Sequence, residues 1–196
     1  MSKAPLFWNN EYELPQTIHA GSLLLAEPTM DEPYFREAVI LICRHDQDGT
    51  HGLMLHQAIN YRIQELVENF PVGFDGKVLL GGPMGSDMLQ FVHNRETLIP
   101  DSREISAGVF WGGDFEQLKK HIRAGRITEN DVRFFVGYCG WDVGQLADEI
   151  KENTWLLLDG ANQAVFHSPT QNLWKTLLRN MGGIYQKMAD SPEEFN

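Results

Sequence analysis

Residues 133–150, RFFVGYCGWDVGQLADEI, constrain this chain more than any other stretch. The first nine are too apolar and too rich in aromatic and β-branched side chains for a surface loop, so they read as a buried central strand. Alternation along it sends Phe135, Gly137, Cys139 and Trp141 to one face and Phe134, Val136, Tyr138 and Gly140 to the other. The glycines beside large aromatics point to tight packing or to another backbone approaching closely. Asp142 stands where a helix cap belongs, with Gln145 three residues on, and Val143, Leu146, Ala147 and Ile150 give the apolar stripe of the helix that follows. A strand running directly into a helix requires a sheet with helices packed on it.

The rest of the chain fits that requirement. SLLLA, from Ser22, is a short buried strand. TMDEPYF reads as a loop or single helical turn, with Asp31 as cap and Pro33 at the first helical position. Residues 38–56 form a hairpin: AVILIC is apolar at every position and therefore covered on both faces, and Asp48-Gly49 supplies the turn. Ile63, Leu66, Val67 and Phe70 have helical spacing up to Pro71. KVLLGGPMGSDMLQFVHN is a strand, a turn at Gly81-Gly82-Pro83 and a further extended segment. Residues 105–111 read as one strand. Asp114 caps a helix with Phe115, Leu118 and Ile122 on its face and Gly125 at its end. TWLLLD and AVFH read as short strands, and Ser168, Pro169 and Gln171 open a last helix that Gly182-Gly183 ends. Strands and helices are mixed rather than alternating, so the expected fold is α/β (α+β), a mixed, curved sheet flanked by helices. We expect an N-terminal arm at residues 1–19, held down by Phe7, Trp8, Tyr12 and Leu14, a single domain at 20–185, and an acidic tail at 186–196 that frays over its last residues, MADSPEEFN.

Charge narrows the function. With 16 basic and 27 acidic residues the net charge is −11. That opposes attraction to phosphate backbones and anionic lipid, and the sequence offers neither a basic run nor a helix-turn-helix with a basic recognition helix, so direct DNA binding is not expected. No apolar run approaches the roughly 20 residues of a membrane span, and the N-terminus lacks the apolar core of a secretory signal. The two cysteines, Cys43 and Cys139, sit in apolar runs, which suits a reducing, cytoplasmic setting and predicts buried, reduced thiols.

Five segments in order carry a resemblance: GSLLLAEP with the following YF, AVILICRHDQDGTHGLML, VLLGGPMGSDMLQFVHN, RFFVGYCGWDVGQLADEI with Trp155, and AVFHSPTQNLWKTLLRNMG. Over residues 20–185 the chain resembles the YqgE/AlgH family of bacterial proteins, and the GYxGWxxGQL core is the most specific match. The resemblance implies a cytoplasmic bacterial protein with a mixed sheet folded towards a partial barrel. It implies no established activity, because the family carries a transcriptional-regulator label without a shared biochemical function. The chain departs from the family pattern where His56, Gln57 and Ala58 replace an Asn followed shortly by Pro, so no role is carried over there.

The sequence shows no catalytic constellation. His45, Asp46, Asp48, His51 and His56 crowd the hairpin, but ordinary turn chemistry explains them better than a metal. GGPMG lacks the Lys-Ser/Thr pair of a phosphate loop, and Pro83 removes a backbone donor. Cys139 has no local base or cation to ionise it. We therefore expect no catalytic residues, metal or cofactor. The expected function is non-enzymatic binding or regulation through a protein partner or small ligand; the alternative is an enzyme acting on a small anionic molecule near residues 137–145. The candidate binding residues are Tyr138, Trp141, Asp142 and Gln145, around a cleft where the strand meets the helix.

Overall fold

The computed structural model describes residues 17–167 and 171–190; the packing of the arm's Phe7, Trp8, Tyr12 and Leu14 and the cap at Ser168-Pro169 lie outside them. In chain order the elements are β1 (Leu23–Ala26), β2 (Val39–Asp46), β3 (Gly49–Met54), β4 (Ala58–Arg62), α1 (Ile63–Leu66), β5 (Lys77–Leu80), β6 (Met84–His93), β7 (Arg103–Ser106) and β8 (Val109–Trp111). They are followed by α2 (Phe115–Arg123), β9 (Val132–Trp141), α3 (Gln145–Lys151), β10 (Trp155–Leu158), α4 (Leu173–Met181) and α5 (Gly183–Asp190).

The strands form one sheet in the order β10-β1-β2-β3-β9-β6-β8-β7, with β5 also beside β9 and β4 beside β5. Every pairing is antiparallel except β5 with β9, so the sheet is mixed; it is not closed into a barrel. The central strand is β9. Along one edge it pairs with β5 at Phe134–Val136 and then with β3 at Cys139–Trp141; along the other it pairs with β6.

The handover between β5 and β3 happens at Gly81, whose N–H donates to the Val136 carbonyl (2.8 Å) and whose carbonyl accepts from Met54 N–H (2.9 Å). Gly137 faces it at φ +74°, and a Cβ on Gly81 would sit 2.2 Å from the Gly137 carbonyl oxygen. The glycine-rich turns GGPMG and GYCGW therefore explain each other. Two backbones cross here at a distance that admits no side chain.

Phe135, Cys139 and Trp141 enter the larger core with β1, β2 and β10, while Phe134 enters a smaller core with Ile63, Phe70, Phe74, Leu118 and Ile122. The alternation read from the sequence holds at Phe134 and Phe135, which enter different cores, but Tyr138, read onto the Phe134 face, packs against the larger core, because Gly137 at φ +74° and a register shift against β6 interrupt the pleat. Leu23, Leu24, Leu25, Ile40, Leu41 and Ile42 are all fully buried, each worth roughly 1.5–3 kcal/mol relative to exposure.

Four local readings are corrected. The helix expected from Ile63 to Phe70 is the single turn α1, because Tyr61 and Arg62 belong to β4 and Leu66 remains 41% exposed. Residues 105–111 fall in two strands, β7 and β8, because Gly108 at φ +70° turns the chain between them. AVFH is a π-helical turn whose Ala164, Val165 and Phe166 are buried; a short apolar run does not distinguish a strand from a buried helix. Residues 188–190 complete α5 instead of fraying. The stretch around Asp31 and Pro33, read as a loop or single helical turn, is a series of turns without regular helix.

Candidate functional site

At the end of β9 the chain leaves the sheet at Trp141 and enters α3 four residues later. Asp142 is not the cap. Gly144, at φ +83°, occupies the cap position, and no side chain bonds to the first turn. Half of the expected reciprocal pair survives: Asp142 N–H donates to Gln145 Oε1 (3.0 Å). Val143, placed on the apolar stripe by the sequence, is 68% exposed, while Leu146 is buried. With α3 beginning at Gln145, residue 149 lies one turn on along the same face.

That residue is Glu149, which organises the junction. Its Oε2 accepts the indole N–H of Trp141 (2.9 Å) and of Trp155 (2.8 Å), and its Oε1 accepts the Gln145 amide (2.9 Å). The two indoles meet edge to face with centroids 6.3 Å apart, and Phe35 packs edge-on against Trp155 at 5.7 Å. Glu149 takes part in no ion pair among the described residues. It is a half-buried carboxylate whose side-chain hydrogen bonds come only from neutral donors.

Beside it lies a pocket of about 250 Å³. Met30, Phe35, Pro83, Met84, Trp141 and Trp155 give it apolar walls, and Glu32, Gln145, Glu149 and Thr154 give it polar ones. Met84 is 46% exposed at the edge. The Cys139 thiol also reaches the pocket. Burial pushes it up to about 12, and it donates to the Gly81 carbonyl (3.6 Å), so it is held protonated rather than ready to attack. Cys43 is likewise free, buried and pushed up by burial.

Of the four residues singled out in the sequence, Trp141 and Gln145 line this pocket. Asp142 stands exposed outside it. Tyr138 is on the opposite face of β9, stacked on His51 with centroids 4.4 Å apart. That face carries a second cluster, in which Gln90 Oε1 accepts from the Trp111 indole (3.1 Å) and lies 2.9 Å from His51 Nε2. An indole only donates, so the Gln90 oxygen must face it and the His51 proton sits on Nε2. Burial holds His51 below the usual histidine value, with Arg44 acting in the same direction. The other hairpin histidines diverge: His45 bonds Thr50 Oγ1 (2.7 Å) and His56 Nδ1 accepts from Val39 N–H (3.5 Å). No group of three or more His, Cys, Asp or Glu able to hold a metal occurs among the described residues.

A larger cleft, about 580 Å³, opens between residues 69–74 and 122–129. It is a shallow opening beside a loop whose Val72 is 99% exposed, and its Arg123 is engaged by the Asn69 carbonyl (2.8 Å). No helix among the described residues is long and apolar enough to cross a membrane.

These observations define the class: an α+β domain on one large, mostly antiparallel sheet, unclosed and flanked by helices. The chain belongs to the AlgH-like family, whose profile matches residues 23–186. It is 38% identical over 185 residues to a "UPF0301 protein" of Chlorobaculum parvum, covering 94% of this chain and 97% of that one. A "UPF0301 protein" of Cytophaga hutchinsonii is 33% identical, covering 88% and 94%. The crystal structure of a Corynebacterium diphtheriae protein superposes with a TM-score of 0.74 at 20% identity, covering 87% of this chain and 91% of that one. The solution structure of AlgH from Pseudomonas aeruginosa does so with a TM-score of 0.68 at 20% identity, covering 92% of each. At that identity the two structures show the shared fold alone.

Proposed function

We propose that the protein is a non-catalytic binding protein that captures a group on a protein partner in the pocket beside Trp141. The observation that carries this reading is the state of the pocket's polar groups. Glu149 holds both indoles and the Gln145 amide, and the Cys139 thiol, bonded to the Gly81 carbonyl, is pushed up to about 12, so neither group is poised to react. The walls are preformed and apolar, the usual make-up of a recognition pocket. The alternative from the sequence, an enzyme acting on a small anion, finds less support: Glu32 and Glu149 line the pocket and would repel an anion. The net charge of −11 fits a regulator working through protein contacts better than one gripping DNA directly.

The test is recovery of partners from the native bacterium with the full chain, its Met84→Ala variant and a Leu66→Ala control at a separate exposed apolar site. The reading expects a partner recovered by wild type and control and lost with Met84→Ala. Equal recovery by all three would reject this pocket as the capture site.

A further inference from the structure

Resting on that reading, we infer that the captured group is a cation on an apolar stem, the side chain of a lysine or arginine presented by the partner. Three features of the pocket converge on it. The first is charge. Among the described residues Glu149 is a half-buried carboxylate with no cationic partner, and Glu32, which adds a second negative charge from the 28–36 loop, has no ion pair either. Neutral N–H donors satisfy the hydrogen bonds of Glu149 but leave its charge uncompensated beside a largely apolar pocket, where a cation gains more than in open water.

The second is the aromatic lining. Trp141, Trp155 and Phe35 wall the pocket at steep mutual angles of 84° and 78°. Both indole N–H groups are turned to Glu149, so neither is left to hydrogen-bond an anion in the pocket. A ring face attracts cations and gives an anion nothing. The only ring–cation contacts among the described residues are Lys119 over Phe115 and Arg133 over Phe166, so these rings are not already used in that way.

The third is size. A volume of about 250 Å³ lies below the usual 300–1,000 Å³ of small-molecule sites but admits a four-carbon stem with its charged head. Met30, Pro83 and Met84 surround the polar groups with apolar surface, and Met84 reaches outward at 46% exposure. Flexible methionines at a rim suit the backbone flanking an inserted side chain.

The experiment titrates the full chain with n-butylammonium, 1-butanol and butyrate at constant ionic strength, followed by the indole N–H signals in a ¹H–¹⁵N spectrum. The same series is run on Glu32→Gln, which removes charge from an exposed loop without touching the indoles. Butylammonium should bind at least about fivefold more tightly than butanol. Butyrate should be weakest, and the preference for the cation should shrink in Glu32→Gln. Butanol binding as tightly as the ammonium would overturn the cation and leave the apolar capture pocket standing. No binding by any probe would overturn both. A blocked lysine tripeptide, acetyl-Gly-Lys-Gly-amide, should bind at least as well as butylammonium; its exclusion while the free amine binds would overturn the assignment to a partner's side chain.

Discussion

The two faces of β9 hold two hubs built to the same plan. On one, Gln90 Oε1 gathers the ring N–H groups of Trp111 and His51; on the other, Glu149 Oε2 gathers those of Trp141 and Trp155. The difference is charge. In the neutral hub the rings stack on one another, His51 lying between Tyr138 at 4.4 Å and Trp111 at 5.1 Å. The charged hub borders a pocket of about 250 Å³. An amide oxygen is content with two donors, whereas a carboxylate keeps a net charge however many neutral donors it accepts. The comparison teaches that an uncompensated charge beside an opening, more than the number of aromatics around it, marks the face built to receive something.

The comparison can be broken outright at the crossing that sets the two hubs back to back. Gly81→Ala places a Cβ 2.2 Å from the Gly137 carbonyl oxygen and 3.1 Å from Leu53 Cδ2. A backbone must move, and we expect a loss of about 4 kcal/mol or more, or failure to fold. Chemical denaturation of Gly81→Ala checks this; near-normal stability would show that β5, β9 and β3 do not meet as described.

Acid sharpens the comparison because histidine is found in one hub and not in the other. His93, fully buried, donates from Nε2 to the Gly112 carbonyl and accepts Arg95 N–H at Nδ1, so both ring nitrogens are committed to the neutral form. Burial pushes it down to about 4, below the ordinary 6.5. Its contribution is therefore complete above about pH 6.5, where the unfolded chain is also neutral, and is lost as pH falls towards 4. At 1.36 kcal/mol per pH unit that is about 3 kcal/mol. His51 is shifted in the same direction and adds to the loss. Denaturation midpoints from pH 7 to 4 should fall, and His51→Phe should remove only part of the fall. A flat profile would contradict the assigned tautomers.

Removing each hub should cost unequal amounts. Glu149→Ala strands two buried indole N–H groups and should cost about 3 kcal/mol. Gln90→Ala, whose partners reach solvent, should cost about 1 kcal/mol. Equal losses by denaturation would erase the distinction between the hubs. The smallest effect belongs to Gln145→Ala, which frees Asp142 N–H and one Glu149 oxygen at an exposed position and should cost up to about 1 kcal/mol. A pull-down made alongside the denaturation shows whether that residue also serves capture; lost stability with unchanged recovery would leave it a structural residue.

Much of the fold was legible because its signals are local. AVILIC with Asp48-Gly49 fixed the hairpin, and period-two alternation in VRFFVGYCGW divided the two cores correctly at Phe134 and Phe135. What failed were segments where a tertiary partner overrode local preference. Tyr61 and Arg62 were drawn into pairing with β5, and the apolar AVFH coiled into the core. The candidate site was half legible. Trp141 and Gln145 followed from the strand–helix junction, but the alternation already placed Tyr138 on the opposite face from Trp141, so one wall could not hold both. Asp142 misled because Gly144, in a left-handed conformation, delays the helix by two residues. Glu149 carried one usable signal, its spacing of four from Gln145. Met30, Phe35, Pro83 and Trp155 reach the pocket from other elements, and nothing local in the sequence announces that.

The most direct test of the account is a map of where a cation settles. The indole N–H signals of Trp111, Trp141, Trp155 and Trp174 report both hubs and the distant core at once, since Trp174 bonds the Ala26 carbonyl (2.8 Å) in the buried interior. Titration with butylammonium should move Trp141 and Trp155 together and saturably, leaving Trp111 and Trp174 in place. Movement of Trp111 with Trp141 and Trp155 still would put the receptive face of β9 on the other side and contradict the account.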